Sequence, residues 1–241
     1  FNTAGCAKFG IAVANNGGAN ACSVAEHTVL LMLAVYKKLP DSHHRTVTGT
    51  WAGNNHGLDM FLLHGKRLGL VGFGNIGRQV ARKVSGFDME VVYFDKNRTD
   101  EQTEKKHKAR FVDLDTLLKT SDIISLHLHS TEQTKNIIDK SAFLKMKSNA
   151  VIINVSRAAL VDQDALFEAL KTKKIHGAGF DVYPQEPTTP NDPILILPNV
   201  VATPHMAGST YDTYIMVMER ILENFRRVGR KEEPLWIINN Q

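Results

Sequence analysis

The chain has 241 residues, 43% of them in the set AVILMFWYC and 22% charged, a balance that buries a core and excludes disorder as the main state. Twenty-nine Lys and Arg against 25 Asp and Glu leave a net charge of +4 spread over several segments, so no nucleic-acid partner is expected. The longest apolar run, 29–36, is far below the roughly 18 residues of a membrane helix, no charged-then-apolar leader opens the sequence, and two cysteines without a Cys-x-x-Cys pair argue against a disulfide framework or a metal site. A cytoplasmic protein with no membrane partner is expected.

Phe1 stands where Met would open a chain, and residues 4–8 read as the last turns of a helix leading through Gly10 into a strand at 11–14. The chain is therefore expected to begin inside a domain. A turn at 15–21 (NNGGANA) precedes Ser23, a helix cap with Glu26 three residues on as its capping-box partner. That helix is expected to run to about Leu39, where Pro40 stops it. Residues 29–35 are apolar nearly all round, which predicts burial on more than one side, as at a subunit interface. A polar loop with Gly49, Trp51, Gly53 and Gly57 follows.

From Lys66 onward short apolar runs alternate with amphipathic ones, the pattern of an α/β fold with a parallel sheet and helical crossovers. Six strands are predicted, at 67–71, 90–94, 123–128, 150–154, 177–180 and 200–202, in a Rossmann-type doubly wound order. Helices are predicted at 76–85, 114–119, 141–145 and 163–172. A final amphipathic helix at 211–228 carries Ile215, Met218, Ile221, Leu222 and Phe225 on one face.

The segment Gly72-Phe73-Gly74-Asn75-Ile76-Gly77 lies between a predicted strand and a predicted helix, the context in which Gly-x-Gly-x-x-Gly binds a dinucleotide. Gly72 permits the turn, Gly74 lets a pyrophosphate approach the backbone, and Gly77 lets the helix pack closely. Asp95 ends the next strand, 18 residues after Gly77, where a carboxylate accepts the ribose hydroxyls of NAD and repels a 2′-phosphate. Lys96 and Arg98 pull the other way, since either cation can meet such a phosphate.

Three polar residues follow strand ends, where open α/β sheets bind ligands: Arg157, Glu186 and His205. Singly, each is an ordinary surface or capping residue. Together they supply a fork for a carboxylate, a group that moves a proton and a carboxylate that orients it, the parts needed to oxidise a 2-hydroxy acid beside a nicotinamide.

The segments GFGNIG, NVSRAALVD, GFDVYPQEP and TPHMAGST, in this order, resemble the signature segments of the D-isomer-specific 2-hydroxyacid dehydrogenases. GGANACSVAEHT and Gly49-Thr50-Trp51 are similar to the family's segments before the glycine loop. The resemblance implies an NAD-dependent oxidoreductase that interconverts a D-2-hydroxy acid and its 2-oxoacid, and a homodimer with helix 23–39 at its interface. It implies an NAD-binding Rossmann domain over 23–205, with 1–22 as the end of a flavodoxin-like substrate domain and 206–241 as a helix returning to it. By position, Arg157, Glu186 and His205 match the catalytic residues, with Glu186 stabilising the imidazolium of His205, and Asp95 matches the adenosine-ribose ligand. Asn75 and Ile76 match the phosphate turn beside Gly72, Gly74 and Gly77, and Asp181 matches the residue near the nicotinamide amide. Leu128, Val155 and Ser156 match backbone-lined parts of the cofactor cleft, which Arg157, His205, Ala207 and Gly208 complete. Amides at 17–19 are expected to help Arg157 hold the substrate.

Two positions depart from the family pattern: His129 stands where Pro is usual, and Gly17 where Pro is common. His127 matches a residue often present and reads as structural. A second reading on the same fold is an NAD(H)-sensing interaction protein of the corepressor kind, which keeps the same Arg, Glu and His.

Overall fold

A computed structural model describes residues 2–51 and 57–239; Phe1, residues 52–56 with the Gly53 of the expected loop, and residues 240–241 lie outside the described residues. Two compact units divide the chain, one formed by Val24–Ala207 and one by Phe1–Ser23 with Gly208–Gln241.

The larger unit is built on a parallel sheet of β1 (Arg67–Val71), β2 (Glu90–Phe94), β3 (Ala109–Phe111), β4 (Ile123–Leu126), β5 (Val151–Asn154), β6 (Gly177–Phe180) and β7 (Val200–Ala202), in the order β3-β2-β1-β4-β5-β6-β7. β4, β5 and β6 are buried at every residue, as strands covered on both faces must be. On one face Leu117, Leu118, Phe143, Leu166 and Leu170 come from α6 (Leu114–Thr120), α7 (Lys140–Lys145) and α8 (Gln163–Lys171). On the other, Leu31, Met32 and Val35 of α2 (Ala21–Tyr36) pack with Val80, Ala81 and Val84 of α4 (Asn75–Val84). The order reverses between β1 and β4, so the crevice for a ligand opens at the carboxyl ends of these strands.

The sheet has seven strands where six were expected. β3 is three residues long and pairs only with β2, too short to show a period in the sequence. It is preceded by α5 (Glu101–His107), whose seven residues include no aliphatic one and which is held by its Asp100 cap at 2.8 Å. β4 ends at Leu126; the His127 amide still donates to the Val71 carbonyl at 2.7 Å, and beyond it the Leu128 carbonyl accepts from the Ser156 hydroxyl. α2 starts at Ala21, so Ser23 lies inside the helix and does not cap it; the Ala21 amide already bonds to the Gly18 carbonyl. Glu26 instead pairs with Lys83 at 2.8 Å. Pro40 does not stop α2 either. Lys38 breaks it in a left-handed conformation, and Pro40 opens α3 (Leu39–Val47), where its missing N–H costs nothing.

The smaller unit contains α1 (Thr3–Lys8), capped by the Asn2 side chain, and α9 (Tyr211–Gly229), capped by Thr210. The strand expected at 11–14 is reduced to one antiparallel bridge, Ala14 to Ile237, flanked by a bond from the Ile238 amide to the Val13 carbonyl. It has only this carboxyl-terminal segment to pair with among the described residues. Gly17, in the place of the usual Pro, has φ +53, which Pro cannot adopt, and a Cβ there would overlap the Trp236 indole.

Candidate active site

The glycine loop joins β1 to α4 as its spacing requires. Gly72 has φ +106 and donates to the Phe94 carbonyl at 2.8 Å; a Cβ there would stand 2.7 Å from the His127 carbonyl carbon. Gly77 lies against the Gly72 carbonyl. Gly74 forms the cap of α4, and a Cβ on it would meet nothing within 4 Å, so the backbone faces open space. Asn75, Ile76 and Gly77 occupy the first turn of α4, where amides lack helical acceptors and attract anions.

Asp95 is half-buried just past β2, and one of its oxygens accepts the Phe73 amide at 2.7 Å, tying the glycine loop to the strand that carries the carboxylate. Arg78 grips the same loop from α4, donating to the Phe73 carbonyl at 3.0 Å and to the Thr99 hydroxyl at 3.2 Å. Lys96 is exposed. Arg98 is bound by Glu104 through two bonds of 2.9 Å, which holds the Glu104 carboxyl below its ordinary range.

At the end of β5 the buried Asn154 ties down the next turn, donating to the Arg157 carbonyl at 2.9 Å and accepting the Ser156 amide at 3.0 Å. Val155 is buried and Ser156 anchors to Leu128, which leaves Arg157 exposed, one guanidinium nitrogen donating to the Ser156 carbonyl at 2.6 Å.

The third group sits past β6 and β7. Nδ1 of His205 and Oε2 of Glu186 are 2.6 Å apart, and the other Glu186 oxygen accepts the Tyr183 amide at 3.0 Å. Hydrogen bonding from His205 and the Tyr183 amide keeps the Glu186 carboxyl below its ordinary range. His205 has φ +53, a conformation that costs a side-chain-bearing residue about 1–2 kcal/mol. The turn is held from beneath by Asp181, which is fully buried and accepts from the Thr203 hydroxyl at 2.6 Å, the Met206 amide at 2.9 Å and the Ala207 amide at 2.8 Å. His27 of α2 lies with Nε2 2.8 Å from the Thr203 hydroxyl, and burial lowers its proton affinity. The sequence pointed to Asp181 and Ala207 but not to Thr203 or His27; these stood inside the segments TPHMAGST and GGANACSVAEHT, but nothing in their spacing marks a buried network.

Past β4, His127 bonds through Nε2 to the Ser125 hydroxyl at 2.9 Å, its Nδ1 has no partner, and burial pushes its pKa down to about 3. His129 is exposed, its carbonyl accepting from the Thr134 hydroxyl. In the smaller unit, of the amides at 17–19, Gly17 donates to the Asn15 side chain at 2.8 Å and Ala19 to the Asn16 carbonyl at 3.0 Å. Gly208 lines a cleft of that unit with Asn15, Asn16, Gly18 and Tyr214.

Residues 29–207 match the sequence model of the D-isomer specific 2-hydroxyacid dehydrogenase NAD binding domain. The chain belongs to this family. It is 37% identical over 236 residues to a glyoxylate reductase of Korarchaeum cryptofilum, covering 97% of this chain and 71% of that protein. It is 38% identical over 222 residues to a D-3-phosphoglycerate dehydrogenase of Archaeoglobus fulgidus, of which it spans 41%. Among solved structures, the apo D-mandelate dehydrogenase of Rhodotorula graminis superposes with a TM-score of 0.93 at 29% identity, over 99% of this chain and 72% of that one. This dehydrogenase is therefore an oxidoreductase with NAD as its cofactor. The open backbone at Gly74, the first turn of α4 and the carboxylate of Asp95 fit a dinucleotide. No helix among the described residues is long and apolar enough to cross a membrane.

Proposed function

We propose that this dehydrogenase interconverts a D-2-hydroxy acid and its 2-oxoacid with His205 as acid and base, Glu186 as its partner and Arg157 as the carboxylate clamp. The observation that carries the reading is the 2.6 Å bond between His205 Nδ1 and Glu186, which leaves Nε2 for the substrate oxygen. Bound NAD supplies the hydride acceptor and NADH the donor. In reduction, Nε2 of the imidazolium gives its proton to the C2 oxygen as that atom gains charge; in oxidation, neutral Nε2 takes the hydroxyl proton back. Glu186 stabilises the imidazolium in both directions. Arg157 has spent one donor on the Ser156 carbonyl and keeps the rest of its fork for the substrate carboxylate, which orients C2. Gly72, Gly74, Asn75, Ile76 and Gly77 receive the pyrophosphate and Asp95 the adenosine ribose. Leu128, Val155, Ser156, Asp181, Ala207 and Gly208 are assigned to the remaining cofactor cleft.

The test is kinetic. His205→Ala should lower kcat for 2-oxoacid reduction by about 10² to 10⁴ while the Kd for NADH stays nearly constant. Arg157→Ala should raise KM for the oxoacid and lower kcat as well. NADH binding without turnover of any oxoacid by the parent protein would sink the enzyme reading in favour of an NAD(H) sensor.

The same reading includes a homodimer in the cytoplasm. A chain of this size with two cysteines and no Cys-x-x-Cys pair suits a reducing compartment, and the exposed apolar side chains of α2 and α3 support self-association.

A further inference from the structure

Arg98 follows Asp95 by three residues, in the turn that leaves β2 on the adenosine side of the glycine loop. A free guanidinium there would attract a 2′-phosphate, because its fork matches phosphate oxygens. It is not free. Nε and one terminal nitrogen each bond to a different oxygen of Glu104 at 2.9 Å, and the guanidinium lies 6.0 Å from the Phe111 ring centre. Glu104 is itself fixed: it is only 9% exposed, and the Tyr93 hydroxyl donates to it at 2.8 Å. That hydroxyl also accepts the Thr99 amide at 3.1 Å, so the turn carrying Arg98 is fastened to the same cluster. Tyr93 in turn stacks on Phe73 of the glycine loop at 4.1 Å. Pulling Arg98 toward a cofactor would strand a nearly buried carboxylate without its charge partner, a large penalty.

We propose that Glu104 is a specificity-determining residue, acting through Arg98: by holding the edge of the guanidinium formed by Nε and one terminal nitrogen, it turns that fork away from a 2′-phosphate and so favours NAD over NADP. Asp95 repels that phosphate, and Glu104 removes the arginine that would compensate for the repulsion. Lys96 remains as an exposed point charge without an ion-pair partner among the described residues, a weaker match than the fork. The inference rests on the assignment of Asp95 to the adenosine ribose, and a separate variant tests that assignment.

Glu104→Gln keeps the shape and the Tyr93 bond but removes the charge that holds Arg98. The expected result is a rise in kcat/KM for NADPH of about three- to fivefold, within the range of a single solvent-accessible charge contact, with kcat/KM for NADH held within about twofold. Glu104→Gln combined with Arg98→Met should return the NADPH value to that of the parent. Binding of adenosine 2′,5′-bisphosphate against AMP, measured calorimetrically, should follow the same order without relying on turnover. Should Glu104→Gln not fold, Glu104→Asp, which shortens the reach to Arg98, takes its place in the same comparisons. An NADPH efficiency unchanged by loss of Glu104, or a rise that survives Arg98→Met, would overturn the proposal. Asp95→Ser should raise NADPH use whatever Glu104 does; failure of that variant alone would refute the ribose assignment and leave the two failures distinguishable.

Discussion

Glu186 is more than a third exposed, yet its two oxygens are both engaged, one by His205 Nδ1 and one by the Tyr183 amide. Its carboxyl is held low, so it stays ionised as pH falls below its ordinary range near 4.5, and the pair persists until the depressed value is passed. Glu186→Gln keeps the shape of the side chain and removes the charge beside His205 Nδ1, so kcat for oxoacid reduction should fall by about tenfold or more while the Kd for NADH stays nearly constant; an unchanged kcat would remove Glu186 from the proton-transfer unit. At this scale the sequence was readable where chemistry dictates residue type. Arg157, Glu186 and His205 all lie past strand ends, as their spacing from the apolar runs implied. Hidden from it was the support beneath: Asp181 touches Thr203, Met206 and Ala207, contacts made between separate turns by tertiary folding.

The elements that were legible are those with a period or a continuous apolar run. β1, β2, β6 and β7 start and end where their runs do, whereas β3 and α5 have no such pattern and exist because β2 and the core give them a surface to pair with. α2 shows how an apolar sequence misleads in part. Leu31, Met32, Val35 and Tyr36 are buried within the larger unit itself, so most of the all-round apolar character needs no second subunit. What remains is Leu30, 47% exposed, together with Leu39 and Val47 of α3, 52% and 65% exposed. These residues carry the dimer proposal. Sedimentation equilibrium at micromolar concentration should give the mass of two chains, and Leu30→Glu with Val47→Glu should shift it toward one; a single-chain mass for the parent would rule the dimer out.

Across the whole molecule, one parallel sheet places the candidate catalytic and cofactor-binding groups of the larger unit at one edge. Arg157, Asp95, Glu186 and His205 come from segments spanning 110 residues, yet each follows the carboxyl end of a strand, and the order β3-β2-β1-β4-β5-β6-β7 sets the ends of β5, β6 and β7 side by side, with that of β2 on the same edge beyond β1 and β4. The doubly wound order was readable from alternation alone; the seventh strand was not, because three residues leave no local signal, and the division into two units came from the family resemblance and not from composition. In the smaller unit α9 shows Met218, Leu222 and Phe225 exposed at 53%, 46% and 71%, an amphipathic face recognised in the sequence and only partly used within that unit.

His127, which takes no part in the proposed proton transfer, makes unfolding a proton-consuming process. Half-buried just past β4, with Nε2 on the Ser125 hydroxyl and Nδ1 enclosed and unpartnered, its imidazole has a pKa pushed down to about 3 in the folded protein, whereas an unfolded chain protonates the same ring near pH 6.5. Between those values the unfolded state binds the extra proton, so stability is fully present above about pH 6.5 and drains away as pH falls, at up to about 1.4 kcal/mol per pH unit from this one ring. The melting temperature should drop between pH 7 and pH 5, and His127→Gln should flatten that slope, a response that an equal slope in parent and variant would contradict. A residue outside the proton-transfer unit thus adds its own share to the acid sensitivity of the fold.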